Sequence, residues 1–349
     1  MKSIVMRCDA GHSVGTGHLA RCRALASWFD AENVAYVVGA DSHGRRMLTD
    51  LPKAHALPLD GSEREERAFW SGETIAADAI VFDLSYRARV EARDATRRLI
   101  AATGGGSVRR ILIDGIGVDT LVDGGDWPLD MVIVPYAGGF AVNPAIDTLA
   151  GAQFFLIAKD APPPPARDPS RPVRSVLVTM GGSDPYGLTT RVLDALGPTP
   201  AGWAIRVVIG PAFAPSLAAD IRERARVRPE IEIVDKPASL ASCLAAADLA
   251  IAATGLTKYE LAAAGVPSVQ ISIDARHAEI NAGFAAMGTA LHLGAAPDVS
   301  ADLIRGAVLD LARDPDRRAE MSRRGRTLID GRGGQRIVDK IRTLLDAAA

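Results

Sequence analysis

The chain has 349 residues, a length at which one hydrophobic core usually gives way to two domains. Its 40 Lys and Arg residues nearly balance its 42 Asp and Glu residues and neither end is basic, which argues against nucleic-acid binding and favours a small polar ligand. The three cysteines form no C-x-x-C pair and no stretch resembles a signal peptide or a membrane span, so we expect a cytoplasmic protein without disulfides or a zinc ribbon.

The first half of the chain alternates short β-branched runs with helical patterns. The predicted strands are SIVM, AYVV, AIVFD, RILID and MVIVP, and the predicted helices cover 19–29, 41–51 and 87–100. In the first helix Leu19, Cys22 and Leu25 recur at three-residue spacing, which places them on one apolar face. This rhythm is typical of a parallel sheet covered by helices.

Six prolines interrupt the alternation within residues 159–174, and so proline-rich a segment forms neither a helix nor a central strand. We therefore predict an N-terminal lobe over 1–158, a linker over 159–174 and a C-terminal lobe over 175–349.

The C-terminal lobe repeats the pattern of strands and helices. Its predicted strands are SVLVTM, WAIRVVIG, IEIV, DLAIA, PSVQIS and TALHL, with helices after GGSDP, after WAIRVVIG, from Leu240, and over 258–264 and 275–287. Two further helices, over 316–329 and 335–348, follow no strand, and one of them is expected to pack back on the N-terminal lobe. The predicted fold class is α/β with two Rossmann-like lobes, and ligands of such sheets bind beyond the carboxyl ends of the strands, so we expect a site in a cleft between the lobes.

The turn after the first strand, in "DAGHSVGTGHLARC", is rich in glycine. A bare backbone at a helix N-terminus favours an approaching anion, which makes Gly15, Thr16 and Gly17 candidate binding residues. His18 in the same turn can act as a general base; the alternative is an ordinary residue of the first helical turn.

The same turn also matches the dinucleotide fingerprint G-x-G-x-x-A, and Asp41 follows the second strand, where a ribose-binding acid would lie. This reading predicts a nicotinamide enzyme. Residues 9–14 make the loop too long for the tight turn of that fingerprint, which argues against it.

Two glycine-containing turns of the C-terminal lobe are further candidates. Gly181, Gly182 and Ser183 end the first strand, and we expect this loop to face the loop of the N-terminal lobe. Further along the chain, small residues precede a helix in a pattern that suits a diphosphate, which makes Thr254, Gly255 and Thr257 candidates. Glu260, one turn into that helix, can accept hydrogen bonds from ribose hydroxyls. For each, the alternative is a structural turn or a solvated side chain.

Asp83 and Tyr86 end a strand of the N-terminal lobe. Asp83 can cap or orient a neighbour, and Tyr86 can bond a sugar, although polar residues at strand ends are often purely structural.

Together these stretches resemble a known family. Arg7, Asp9, the run from Gly15 to His18, Arg21, "GGSDP" at 181–185, Gly255, Glu260 and "GVP" at 265–267 are similar to the UDP-sugar hydrolases of pseudaminic acid biosynthesis, commonly called PseG. The resemblance covers nearly the whole chain and implies the GT-B fold, close to glycosyltransferases of the MurG type.

The resemblance implies hydrolysis of UDP-2,4-diacetamido-2,4,6-trideoxy-β-L-altropyranose to UDP and free sugar, with inversion and with neither metal nor cofactor. His18, Asp9 and Tyr86 are then the expected catalytic residues, and Arg21 a substrate-binding one. The chain departs from the family where Ser85 precedes Tyr86 in place of a tyrosine, and where Arg276 and His277 replace an asparagine-glutamine pair. We count Arg276 and His277 as substrate-binding candidates because a guanidinium suits planar anions.

Two other functions stay open. A GT-B glycosyltransferase that passes the sugar to an alcohol needs the same nucleotide site and the same base, and a sugar-nucleotide binder without activity needs only the nucleotide site.

Overall fold

The computed structural model describes residues 2–11, 14, 17–59, 63–72, 75–84, 93–103, 107–114, 122, 125–138, 143–163, 167–168, 170–237 and 239–347. Its contacts divide the chain into two compact units. The first unit joins Met1–Asp160 to Gly331–Ala349, and the second is Ala161–Asp330.

The first unit contains a seven-stranded sheet whose neighbouring strands are all parallel. Its strands in chain order are β1 (Ile4–Ala10), β2 (Val34–Ala40), β3 (Ala54–Leu57), β4 (Ala79–Asp83), β5 (Arg109–Ile113), β6 (Met131–Val134) and β7 (Asp147–Ala150). Their order across the sheet is β3-β2-β1-β4-β5-β6-β7. Every residue of β1 and β4 is buried, as expected of central strands covered on both faces.

Five helices of the described chain belong to the first unit. They are α1 (Gly17–Ala26), α2 (Ser42–Arg46), α3 (Glu63–Gly72), α4 (Arg93–Ala102) and α12 (Gly333–Asp346). The C-terminal helix α12 contributes Ile337, Val338, Ile341 and Leu345 to the same core as β1 and α1. Gly334 lies against Trp28, and an added Cβ there would be 2.2 Å from the indole nitrogen. This close approach requires glycine.

The second unit contains a six-stranded parallel sheet. Its strands are β8 (Ser175–Thr179), β9 (Ala204–Ile209), β10 (Ile231–Asp235), β11 (Leu249–Ala253), β12 (Ser268–Ser272) and β13 (Leu291–Ala295), in the order β10-β9-β8-β11-β12-β13. Its described helices are α5 (Leu188–Leu196), α6 (Pro215–Val227), α7 (Ala241–Ala246), α8 (Thr257–Ala264), α9 (Ala275–Ala286), α10 (Ala301–Arg313) and α11 (Pro315–Leu328). The β-branched interiors of β8 and β9 pack on α5, α6 and α10 in one core.

Four elements of the structure are missing from the sequence prediction: β3, β7, α3 and α10. The two strands are four residues long and lie at the sheet edges, where little burial marks them. The predicted helix over 87–100 begins at Arg93 within the described chain, and residues 85–92 lie outside it. None of the helices among the described residues has the length and apolar character needed to span a membrane.

In each sheet the strand order reverses once, at a topological switch point. The reversal lies between β1 and β4 in the first unit and between β8 and β11 in the second. Loops at the carboxyl ends of two such strands diverge and leave a crevice, which is where open α/β sheets bind ligands. Most candidate residues of the sequence lie in or follow these four strands, whereas Arg276 and His277 follow β12.

Candidate functional site

The switch point of the first unit carries a buried cluster of His18, Arg21 and Asp83. His18 and Arg21 lie in the first turns of α1, which begins at Gly17, and Asp83 ends β4 opposite Cys8 of β1. The His18 Nδ1 atom lies 2.7 Å from Asp83 Oδ1. Arg21 holds both oxygens of the same carboxylate, with Nε 2.7 Å from Oδ2 and Nη2 2.7 Å from Oδ1.

Two groups contact His18 Nδ1: Asp83 Oδ1, which can only accept, at 2.7 Å, and Arg21 Nη2, which can only donate, at 2.8 Å. With the hydrogen on Nδ1, the Asp83 contact is a hydrogen bond and Nε2 carries the basic lone pair. The Arg21 guanidinium neutralises the carboxylate, which is fully buried, and fixes its plane. The arrangement is chemically an Asp–His pair, in which the acid orients an imidazole.

A second buried cluster surrounds Arg7 of β1. Its guanidinium donates to both oxygens of Glu66 on α3, at 2.5 Å and 2.9 Å, and to Asp9 Oδ1 at 3.0 Å. Burial lowers the pKa of Arg7, but the charges of Glu66 and Asp9 outweigh it and raise the pKa above its usual range. Asp9, predicted as catalytic, thus pairs with Arg7, while Asp83 orients His18.

The β8 loop, residues 181–183, opens the site of the second unit. Gly181 has a φ of +78°, a conformation that favours glycine. Gly182 and Ser183 are exposed, and an added Cβ at Gly182 would meet no protein atom within 4 Å. The structure therefore supplies no steric reason for glycine at position 182. Gly210 packs closely against this loop, because a Cβ added at Gly210 would lie 2.4 Å from the Gly182 carbonyl oxygen.

The β11 loop, residues 254–257, follows the neighbouring strand and leads into α8. Gly255 is exposed, has no positive φ, and an added Cβ there would again meet nothing within 4 Å. Thr254 Oγ1 lies 3.0 Å from Ser272 Oγ at the end of β12, and Thr257 is buried. Glu260, one turn into α8, is partly buried, and burial raises the pKa of its carboxyl group.

The turn after β12 contains the pair that departs from the family pattern. Asp274 caps α9 by accepting from the His277 main-chain nitrogen at 2.8 Å, and its Oδ1 also lies 2.8 Å from His277 Nδ1. These bonds hold the pKa of Asp274 below its usual value. Arg276 is exposed in the first turn of α9. The residues predicted in the second unit thus follow three neighbouring strands, β8, β11 and β12.

Three predicted site residues, Gly15, Thr16 and Tyr86, lie outside the described residues, as does Ser85. Asp41, the acid of the dinucleotide reading, accepts from the Gly44 nitrogen at 2.8 Å and so caps α2. Within the described ranges no three His, Cys, Asp or Glu side chains form a group that could hold a metal ion.

Sequence reasoning did not assign a polar cluster behind the β11 loop. Lys258 donates to Asn281 Oδ1, and Ser272 Oγ lies 2.9 Å from His292 Nε2. The sequence signal that could have indicated this cluster is a lysine at the second position of a helix made mostly of apolar and small residues, TKYELAAA.

The comparisons with known proteins agree on the fold and give a weaker indication of the family. No protein-family profile matches the chain. The chain is 29% identical over 175 residues to the spore coat polysaccharide biosynthesis protein SpsG of Bacillus subtilis. That match covers 50% of this chain and 51% of the relative, so the chain spans about half the length of the curated protein it matches.

Solved structures match over almost the whole chain. S. aureus MnaA, in a co-structure with UDP, has a TM-score of 0.66 at 12% identity and covers 99% of this chain and 97% of its own. Acinetobacter baumannii MurG has a TM-score of 0.64 at 16% identity, and the match covers 98% of this chain and 99% of the MurG chain. The predicted fold class is confirmed. The chain has two parallel-sheet Rossmann-like units of the GT-B class.

Proposed function

We propose that this protein is a nucleotide-sugar-utilising enzyme of glycan biosynthesis, and that its reaction is hydrolysis of a UDP-sugar. The observation that carries the proposal is the His18–Asp83 pair at the switch point of the first sheet. The match to a protein named for polysaccharide biosynthesis supports the pathway class, and the UDP in the MnaA co-structure supports the nucleotide.

In this proposal the second unit binds the nucleoside diphosphate. Gly182 and Gly255 follow adjacent strands at the second switch point, and both present bare backbone with no protein atom to fill the space. Main-chain N–H groups at such positions, together with the N-terminus of α8, bind the phosphates. Glu260 and the Thr257 hydroxyl then bind the ribose and the diphosphate, as the family resemblance implies.

The first unit supplies the base. A water molecule attacks the anomeric carbon, and its proton passes to His18 Nε2 while the bond from that carbon to the diphosphate oxygen breaks. The electron pair leaves with UDP, whose charge the N–H groups of the second unit stabilise. In this step Asp83 holds the Nδ1 hydrogen and orients the ring, and the imidazolium that forms shares the carboxylate with Arg21.

The proposed substrate is the UDP-linked 2,4-diacetamido-2,4,6-trideoxy sugar of the resembled family. Arg276 and His277 replace the family pair, so we propose that they contact the sugar or its leaving group and adapt the specificity. The proposed location is the cytoplasm, where nucleotide sugars are substrates.

A panel of UDP-sugars, each incubated with the protein alone, tests the reaction. We expect release of UDP and free sugar from a diacetamido sugar, at equal rates with magnesium and with a chelator. UDP release that starts only when an alcohol acceptor is added would identify a glycosyltransferase and contradict hydrolysis. Absence of UDP binding would contradict both.

His18→Ala tests the base, with His43→Ala as the matched control. His18 is nearly buried beside Asp83, whereas His43 bonds to Arg46 on α2. A well-placed general base contributes about 10²–10⁴ in rate, so turnover is expected to fall by that factor in His18→Ala and to persist in the control. Equal turnover in both variants would exclude His18 as the base.

A further inference from the structure

Lys258 is a buried cation whose hydrogen-bond and ring partners among the described residues are all neutral. The residue is 2% exposed, and its ammonium group donates to Asn281 Oδ1. The ammonium also lies 4.9 Å from the ring centroid of Tyr259 and 5.2 Å from that of Phe284. Among the described residues, no carboxylate lies within 4.0 Å of it, although the buried Arg7 and Arg21 of the first unit both have one.

Among the described residues, the network that begins at Lys258 consists of an amide, hydroxyl groups and an imidazole. Asn281 Nδ2 donates to the His277 main-chain oxygen at 2.6 Å and lies 3.4 Å from Ser272 Oγ. Ser272 in turn contacts Thr254 of the β11 loop at 3.0 Å. The network therefore connects the ammonium, through the Asn281 amide and the Ser272 hydroxyl, to the loop assigned above to the diphosphate.

The position of Lys258 is unfavourable unless a negative charge is supplied. A buried ammonium costs several kcal/mol of solvation free energy that neutral partners recover only in part. Lys258 is also the second residue of α8, where the helix dipole is positive and favours anions over cations. Burial lowers the pKa of Lys258 to about 8. The Lys258 ammonium and the N-terminus of α8 thus both place positive charge near Gly255 of the β11 loop.

We infer that Lys258 provides the buried counter-charge for the diphosphate of the nucleotide sugar, and that nucleotide binding drives its protonation. The inference deepens the proposed function and rests on it. An anion bound at the β11 loop supplies the negative charge that the described residues of the second unit do not place beside the ammonium. Binding then stabilises the charged form of Lys258, and above neutral pH the complex takes up a proton.

Other titratable groups near Lys258 do not supply this charge. His292 on β13 faces the network through Ser272, and both burial and the Lys258 charge lower its pKa, so it adds no negative charge. His277 reaches the network through its main-chain oxygen. Glu260 lies two residues along the same helix, a spacing at which side chains do not face each other. Arg326 of α11 bonds to the Ala264 oxygen at the far end of α8.

Calorimetric titration with UDP at pH 8, in Tris and in HEPES, measures the proton uptake. The two buffers differ in ionisation enthalpy, so the difference in observed heat counts protons. With a lysine pKa of about 8 in the unliganded protein, we expect Lys258 to take up about half a proton per UDP bound at pH 8 and about a tenth of a proton at pH 7.

Three variants identify the group. Lys258→Met is expected to bind UDP about 10- to 100-fold more weakly, as for loss of one partly screened charge, and to take up no proton. Lys258→Arg keeps a permanent charge, so its Kd is expected near that of the unaltered protein, again without proton uptake. Lys340→Met removes an exposed lysine of the first unit and is expected to leave both quantities unchanged.

The outcomes separate this inference from the proposed function. UDP binding without proton uptake, or an unchanged Kd in folded Lys258→Met, would overturn the counter-charge and leave the nucleotide site standing. If Lys258→Met does not fold, the proton uptake of the unaltered protein is compared with that of Lys258→Arg. Equal uptake by the two proteins would overturn the counter-charge. No UDP binding by the unaltered protein would overturn both proposals.

Discussion

Replacing Lys258 by methionine should stabilise the unliganded protein at neutral pH, because the substitution removes a buried charge and keeps the apolar stem. Burial lowers the lysine pKa from 10.5 to about 8, and this shift corresponds to a folding cost of about 3 kcal/mol when the group is protonated in both states. The lost bond to Asn281 offsets about 1–3 kcal/mol of this gain. The net change at pH 7 is therefore between about 0 and 2 kcal/mol.

The pH dependence is the sharper part of this prediction, since it reports the protonation of Lys258 itself. Below pH 8 the lysine is protonated in the folded and unfolded chain, so the full cost is present. Between pH 8 and 10.5 the unfolded chain binds a proton that the folded chain does not, so the stability of the unaltered protein rises with pH. The advantage of Lys258→Met should fall by about 2–3 kcal/mol between pH 7 and pH 10.

Urea unfolding of both proteins at the two pH values measures this difference, and Lys340→Met serves as the control. An advantage that stays constant from pH 7 to pH 10 would refute the reasoning, because it would show that the lysine has an ordinary pKa in the folded protein. In that case the burial of Lys258 would cost the unliganded protein no stability, and UDP binding would have no such cost to relieve.

Three further predictions concern other parts of the sites. Gly210→Ala places a Cβ 2.4 Å from a backbone oxygen of the β8 loop, so the loop must shift. UDP binding measured by calorimetry should therefore weaken about tenfold or more. The control Gly306→Ala, whose added Cβ meets open space, should leave UDP binding unchanged. Asp83→Asn leaves a buried guanidinium without its carboxylate and should lower the free energy of unfolding by about 3–5 kcal/mol and turnover by about 10²–10⁴; a fully active variant would contradict the role of the acid. Glu66→Gln should destabilise the first unit by a similar amount in urea and leave the Kd for UDP unchanged; a weaker Kd would contradict its assignment as a structural ion pair.

The amino-acid sequence by itself determined the class of fold and the places where ligands are expected. Runs such as IVMRCDA and SVLVT are apolar or β-branched enough to become buried parallel strands, because their side chains fit a pleated, covered surface. The glycines of the β8 and β11 loops were also recognisable, since a residue without a Cβ at a strand end is a local property. The short edge strands β3 and β7 were not, because four residues carry too little periodicity.

Only the tertiary structure decided which of these local pieces meet. Asp83 lies 65 positions from His18 in the chain, and the two become neighbours because β4 pairs with β1 in a register that sets Asp83 opposite Cys8. The apolar face of α12 was predictable, but its place in the core of the first unit depends on packing across the whole chain. Lys258 meets Asn281 only because α8 and α9 follow β11 and β12, two strands that pair in the sheet. Strand order and helix placement arise from non-local burial, which no stretch of sequence encodes on its own, and they convert separate motifs into sites.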